Sequence, residues 1–234
     1  MTITAALLDA VADYSQPMLT YYHDGTGERT ELSAATLGNW AAKTANFLRD
    51  EVGVLAGDDV VVDLPEHWQT AAILLGAWWA GAHVHTGSSD VGHVSVAFVT
   101  LDDVDRYDAD EVVVASLDPF ALPLKDLPIG VADFGSAVRV HGDQYSAAGI
   151  AAGSALDGRS VTEVLDAARA GAVDAGITAG LRVLTTLPWH DADGIVGQLL
   201  APLVVGASLV TVADPDPAKV EAKLAAERAT SRMR

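Results

Sequence analysis

The sequence predicts an α/β fold of two stacked subdomains, with mainly parallel or mixed sheets flanked by helices. Three observations carry that expectation. Short apolar runs such as Val60–Leu64, bounded by Asp58-Asp59 and Pro65, have the pattern of strands buried on both faces of a parallel sheet. Longer apolar segments with helical spacing alternate with them, and strand–helix–strand order is the order of βαβ units. Half of the 234 residues are hydrophobic and mean hydropathy is +0.26, so the chain has apolar material for a sizeable core.

Taken in order, residues 3–14 have the periodicity of a short amphipathic helix. Met18–Tyr22 and Arg29–Leu32 flank the turn-rich His23-Asp24-Gly25-Thr26-Gly27 and predict a β-hairpin. Ser33 is a natural N-cap for a helix that places Leu37, Trp40, Ala41, Thr44, Phe47 and Leu48 on one face and stops near Gly53. Val60–Leu64 is a strand, His67–Ala80 a helix ending at Gly81, and Ala82–Thr86, Val94–Thr100 and Glu111–Ser116 are further strands. Residues 117–159 are the least regular, punctuated by Pro119, Pro123 and Pro128 and then by Gly142, Gly149, Gly153 and Gly158, so a soft boundary is expected near 140. Ser160 then caps a helix over Val161–Ala175, with Glu163 in its first turn. Arg182–Leu187 and Ala207–Ala213 are strands on either side of a helix over Ile195–Val205. Asp216 and Pro217 open a last helix to Thr230.

Composition narrows the function classes. With 14 Lys and Arg against 32 Asp and Glu, the formal net charge is −18, and the field repels nucleic acid and anionic membrane surfaces. No partner of either kind is expected. There are no cysteines, hence no disulfide framework or thiolate metal site. No apolar run is long enough to span a bilayer, and the N-terminus, with Asp9 and Asp13 and no basic region, does not read as a signal peptide. A cytoplasmic location is the expectation.

The order of elements also carries a resemblance. Gly57-Asp58-Asp59-Val60-Val61-Val62-Asp63-Leu64-Pro65, followed by a helix ending Ala77-Trp78-Trp79-Ala80-Gly81-Ala82, resembles the start of the adenylate-forming enzymes. That superfamily comprises acyl-CoA synthetases, luciferases and peptide-synthetase adenylation domains. Arg182-Val183-Leu184-Thr185-Thr186-Leu187-Pro188-Trp189-His190 is similar to a later strand and turn of the family. Leu199-Leu200-Ala201-Pro202-Leu203 with Gly206-Ala207-Ser208-Leu209-Val210, and then Asp216–Thr230, are similar to the helix, strand and helix that follow. The likeness covers most of the chain outside roughly 100–160 and is nearest to a short group of AMP-dependent synthetase-like proteins. It implies the two α/β subdomains of the family's N-terminal domain, expected here as residues 1–140 and 141–234.

The departures shape the functional expectation. Where the family has a Ser/Thr/Gly-rich phosphate loop ending in Pro-Lys-Gly, this sequence has Gly149-Ile150-Ala151-Ala152-Gly153-Ser154-Ala155-Leu156-Asp157-Gly158-Arg159-Ser160. None of Lys43, Lys125, Lys219 and Lys223 is near it. The family's adenine-binding motif, ribose-binding Asp and C-terminal domain would follow Arg234. Losing one preorganised donor from a charged transition state costs about 3–4 kcal/mol. The resemblance therefore implies a degenerate relative, non-catalytic by itself, that acts as a small-molecule-binding or assembly protein with no catalytic or cofactor-binding residues. ATP or AMP with Mg²⁺ is expected only under the alternative, a synthetase-like ligase component completed by a partner. A purely structural subunit is the remaining reading.

Individual candidates follow. Arg159 is the one cation placed to touch a phosphate, although an arginine on a turn is ordinarily a surface charge. Trp189, His190 and Asp193 lie after a strand, where α/β folds place ligands. The resemblance puts His190 beside an acyl-substrate pocket, with the Pro188–His190 spacing one residue shorter than the family's. Asp191 or Asp193 would otherwise cap the next helix. No Gly-x-Ser-x-Gly elbow is present, which argues against a hydrolase. His83 and His85, with His93 and Asp90, have a ligand-like spacing. They are expected to be strand-end histidines without a metal, because zinc needs further ligands and their supporting partners. Trp40, Trp78 and Trp79 are expected in the core or at a subunit interface. The expected partner is a second copy in a homodimer, or another protein covering the face that the family's remaining domain covers.

Overall fold

The computed structural model describes residues 1–87, 90–146 and 153–233. Helix α1 (Ile3–Asp9) is capped by the Thr2 side chain and ends earlier than predicted. Beyond Ala10 the chain turns around Asp13, whose carboxylate accepts from Ser15 N–H at 2.9 Å. Strands β1 (Pro17–His23) and β2 (Glu28–Ser33) form the expected antiparallel hairpin. Helix α2 (Ala34–Phe47) starts on the Ser33 cap and runs into one π turn, Leu48–Val52, closed by Gly53 at φ 85°. Then come β3 (Asp59–Asp63), α3 (Trp68–Ala80), β4 (His83–Thr86), β5 (Val94–Val99) and β6 (Ala109–Val114).

The stretch read as irregular contains short elements: β7 (Val131–Asp133), α4 (Phe134–Arg139), β8 (Ser154–Leu156) and β9 (Arg159–Ser160). None is long enough to show a period. Asp133 caps α4 by accepting from Ser136 N–H at 2.7 Å and also takes Leu124 N–H at 3.0 Å, which ties the proline-rich segment to it. Helix α5 (Val161–Asp174) and β10 (Arg182–Thr185) follow. Next is one continuous helical stretch, made of α6 (Ala192–Gly194), a π segment (Ile195–Leu200) and α7 (Ala201–Val204). After β11 (Ser208–Ala213), Pro217–Lys219 is a 3₁₀ turn and α8 spans only Val220–Ala226. The chain turns at Arg228, φ 50°, so Thr230 N–H reaches Arg182 O at 2.8 Å and β12 (Ser231–Arg232) joins β10. The predicted continuation of that helix to Thr230 is thereby corrected: a sheet edge competes for the backbone.

Two sheets result, β12-β10-β11-β1-β2 and β7-β6-β5-β3-β4-β8-β9, parallel throughout except for the β1–β2 and β8–β9 pairs. Sheet membership is interleaved along the chain: β1 and β2 share a sheet with β10 to β12, and everything between belongs to the other. The position near 140 falls at the end of α4, inside that intervening stretch. A single core cluster joins inner-face residues of both sheets, such as Leu19, Leu209, Val60, Val62 and Phe98, to the buried faces of α1, α2, α3 and α5, so the helices fill the space between the sheets. Residue alternation sends Val61 to the opposite face, where Tyr107, Leu124 and Leu127 cover it, and sends Val210 and Val212 outward under Val220 and Leu224 of α8. Helices α2 and α3 approach closely at Gly76, where a Cβ would stand 2.4 Å from Thr44 Cβ. Trp78 is buried with Nε1 donating to Ala155 O at 2.9 Å, and Trp40 packs on Trp68 and Phe134, so these tryptophans serve the core.

Candidate functional site

The carboxyl ends of the parallel strands meet between the sheets. After β10 the chain turns at Pro188-Trp189-His190, and after β3 it turns at Pro65-Glu66-His67. His190 Nδ1 lies 3.9 Å from Glu66 Oε2 and so bridges the two strand ends. Beside them the rings of Tyr21 and His67 meet edge-on at 4.6 Å. His67 is buried and caps α3: its Nδ1 accepts from Gln69 N–H at 3.2 Å, which leaves the proton on Nε2. That nitrogen lies 3.4 Å from Glu28 Oε1, within ion-pair reach but without hydrogen-bond alignment. Burial holds the His67 pKa below the usual histidine range, against the opposing pull of Glu28. Burial, reinforced by Glu28 and Glu66, pushes Tyr21 up. For Glu28, burial pushes upward but is outweighed by His67 and the Thr30 hydroxyl, and the carboxyl stays below its ordinary value. His67 Nε2, Trp68 Nε1 and Gln69 Oε1 are all buried without a hydrogen-bond partner among the described residues, an uncommon concentration on three successive residues.

The predicted pocket residues separate. Trp189 points into the core, fully buried, with Nε1 donating to Thr211 Oγ1 at 3.0 Å. His190 stands 59% exposed. Asp193 is exposed and pairs with Arg159 at 2.6 Å, so the predicted phosphate contact and the predicted pocket residue are brought together as an ion pair. Asp191, not Asp193, caps α6 by accepting from Gly194 N–H at 2.7 Å. Gly194 has to be small, since a Cβ there would come within 2.8 Å of Pro188 O and Trp189 Cα.

Of the stretch expected in place of a phosphate loop, Gly149-Ile150-Ala151-Ala152 lies outside the described residues. From Gly153 onward several backbone donors are engaged. Asp157 N–H goes to Val84 O, Gly158 N–H to His83 Nε2, and Val161 N–H to Gly153 O. Ser160 and Glu163 form a reciprocal capping box: Ser160 N–H donates to Glu163 Oε2 at 2.8 Å and Glu163 N–H to Ser160 Oγ at 3.2 Å. The N-terminus of α5 is therefore closed by a carboxylate of its own chain.

A marked concavity lies elsewhere, at the opposite, amino ends of β1, β10 and β11. It is a half-open groove of about 520 Å³, with Val11, Met18, Leu181 and Leu203 in its walls and Arg182 and Glu227 at one side. No sequence motif marked it, because its lining comes from several segments far apart in the chain. Of the histidines, His83 and His85 sit together on β4 facing Asp59 on β3, whereas His93 pairs with Asp108 and Asp110 and Asp90 is exposed on the intervening loop. Asp59 is the member that sequence spacing could not supply.

Two mixed sheets around a shared helical layer define the fold of the N-terminal part of the acyl-CoA synthetases. An acyl-CoA synthetase of Brucella canis superimposes with a TM-score of 0.78 at 19% identity, over 99% of this chain and 47% of its own. MatB from Rhodopseudomonas palustris gives 0.76 at 18%, over 100% and 49%. The N-terminal domain of FACL13 from Mycobacterium tuberculosis gives 0.68 at 17%, over 99% and 62%. At such identities the likeness is one of fold, and the chain spans about half the length of the full synthetases. A scan against protein-family models matched none. The chain belongs to the TIGR03089 family: a protein of that family from Mycobacterium tuberculosis (strain ATCC 25618 / H37Rv) is 47% identical over 239 residues, covering 98% of this chain and 97% of its own.

Proposed function

We propose that this chain is a non-catalytic relative of the adenylate-forming enzymes that binds a small, largely apolar molecule in the cytoplasm. The observation that carries the reading is the closed N-terminus of α5. A nucleotide phosphate needs free backbone N–H groups and a cation. Here Gly158, Ser160 and Glu163 have spent their donors on the chain itself, and Arg159 is held by Asp193. The groove at the amino ends of β1, β10 and β11 supports the binding half of the reading, because its volume and apolar walls suit a compact ligand.

Calorimetric titration with ATP·Mg²⁺ and AMP, together with a pyrophosphate-release assay on the purified chain, tests the first half. No binding and no release is the expected outcome; tight ATP binding with pyrophosphate release would overturn it. A thermal-shift screen of octanoate, benzoate and their CoA thioesters tests the second half. The expected shift is abolished by Ala12→Trp, which fills the groove from an exposed position, and survives His190→Ala. The reverse pattern would place the ligand at the strand-end turns, and no shift for any ligand would remove the binding reading. The buried atoms of His67, Trp68 and Gln69 that have no partner among the described residues favour a second reading, a ligase component that a partner protein completes beside those strand ends. Phe120, Leu122 and Ile129, exposed on one loop, support self-association as the accompanying assembly role, tested by light scattering during size exclusion.

A further inference from the structure

We propose that Asp59, His83 and His85 form a binding site for a divalent transition metal, with zinc the ion that the donor set fits. Strands β3 and β4 are parallel neighbours in fixed register, Asp59 beside His83 and Val61 beside His85. Alternation along the pleat turns Val60, Val62 and Val84 into the core, so Asp59, His83 and His85 project together from the other face. Both imidazoles are only 15% exposed, and their ring centroids are 4.1 Å apart. One candidate ligand atom from each of the three residues falls within 4.8 Å of the others. Asp59 Oδ1 is 2.9 Å from His83 Nδ1 and 2.8 Å from His85 Nε2. Ligand atoms around a tetrahedral zinc stand about 3.4 Å apart. The cluster has to open by roughly half an ångström, which side-chain torsions supply while the strands stay still. Two imidazoles and one carboxylate leave the fourth position to water.

The surroundings add a supporting partner. Asp157 Oδ1 is 3.9 Å from His85 Nδ1, and the Asp157 carboxylate accepts from Thr86 N–H at 3.0 Å and Thr86 Oγ1 at 2.8 Å. A carboxylate behind a ligating histidine, once it closes from this distance to hydrogen-bond its second nitrogen, orients the ring and makes it a better ligand. One contact is exchanged on binding. Without metal, Gly158 N–H donates to His83 Nε2 at 2.9 Å, so Nδ1 carries the ring proton and gives it to Asp59. Zinc at Nδ1 moves that proton to Nε2 and breaks the bond from Gly158. Binding is therefore reported by the Asp157–Gly158 turn, which a non-specific surface ion would leave alone.

The experiment is calorimetric titration of untagged, chelator-treated protein with zinc chloride, with magnesium as the control ion. The expected result is one zinc per chain and no magnesium. Affinity falls at least about tenfold in His85→Ala and in Asp59→Asn, and about tenfold in Asp157→Asn, while His93→Ala is unchanged. Zinc also shifts the Gly158 amide resonance in the wild-type chain. Circular dichroism confirms that each variant is folded, and His85→Gln replaces His85→Ala if that variant is not. Failure to bind zinc overturns the site, as does uptake that survives both ligand variants or is lost on His93→Ala.

Discussion

Replacing Glu227 by glutamine should destabilise the protein at neutral pH and leave it almost unaffected in acid. Glu227, at the end of α8, is 6% exposed and accepts hydrogen bonds from Arg29 Nε on β2, Tyr22 Oη on β1 and Arg182 Nη2 on β10. Burial pushes its pKa upward, but those three donors prevail and hold it at about 2, against an ordinary 4.5. A depression of that size corresponds to about 3 kcal/mol. Solvent contact along the half-exposed Arg29 screens part of this, so about 2 kcal/mol is the working figure. Because the folded-state pKa is the lower one, the stabilisation is fully present above pH 4.5 and is lost as pH falls toward 2. The assay is urea denaturation of wild type and Glu227→Gln from pH 7 to pH 3, taking the difference at each pH so that the other carboxylates cancel. The gap should be about 2 kcal/mol at pH 7, or about 4–8 °C in Tm for a chain this size, with at least half of it gone near pH 3. A gap that is absent at pH 7, or constant down to pH 3, would refute the argument.

Three further outcomes follow from single contacts. Gly76→Ala should cost about 1–3 kcal/mol in denaturation, because its Cβ meets Thr44 Cβ at 2.4 Å and Ala41 O at 2.9 Å between two packed helices. Ser160→Ala breaks the α5 capping box and should cost about 1 kcal/mol, without creating affinity for ATP in a direct titration. Trp189→Phe leaves Thr211 Oγ1 without the indole donor and a small void behind it; a loss of about 1–3 kcal/mol with ligand shifts in the groove unchanged is the expected pair of results.

Much of the fold was legible because the signals were local. Ser33 and Ser160 cap their helices, Gly53 and Gly81 end theirs in the left-handed region, and the valine run at 60–62 is a buried parallel strand. Residues 117–159 were not legible: β7, β8 and β9 have three residues or fewer, which is too short for a period to emerge. The candidate sites divide the same way. His190 and Arg159 could be picked out by their place after a strand and before a helix. That Trp189 turns inward onto Thr211, and that Arg159 is neutralised by Asp193, depends on side chains brought from elsewhere.

By itself, then, the sequence determined the α/β class, the order of most elements and the absence of a lysine from the turn before α5. Capping, hydrophobic period and composition act over a few residues and can be read in line. The tertiary structure alone decided that β1 and β2 share a sheet with β10 to β12, that a groove opens at their amino ends, and that Asp59 joins His83 and His85. Those features need residues more than 20 positions apart to meet. Whether they meet is set by which strands pair within each sheet and how the sheets pack on the helices, and no local pattern encodes that.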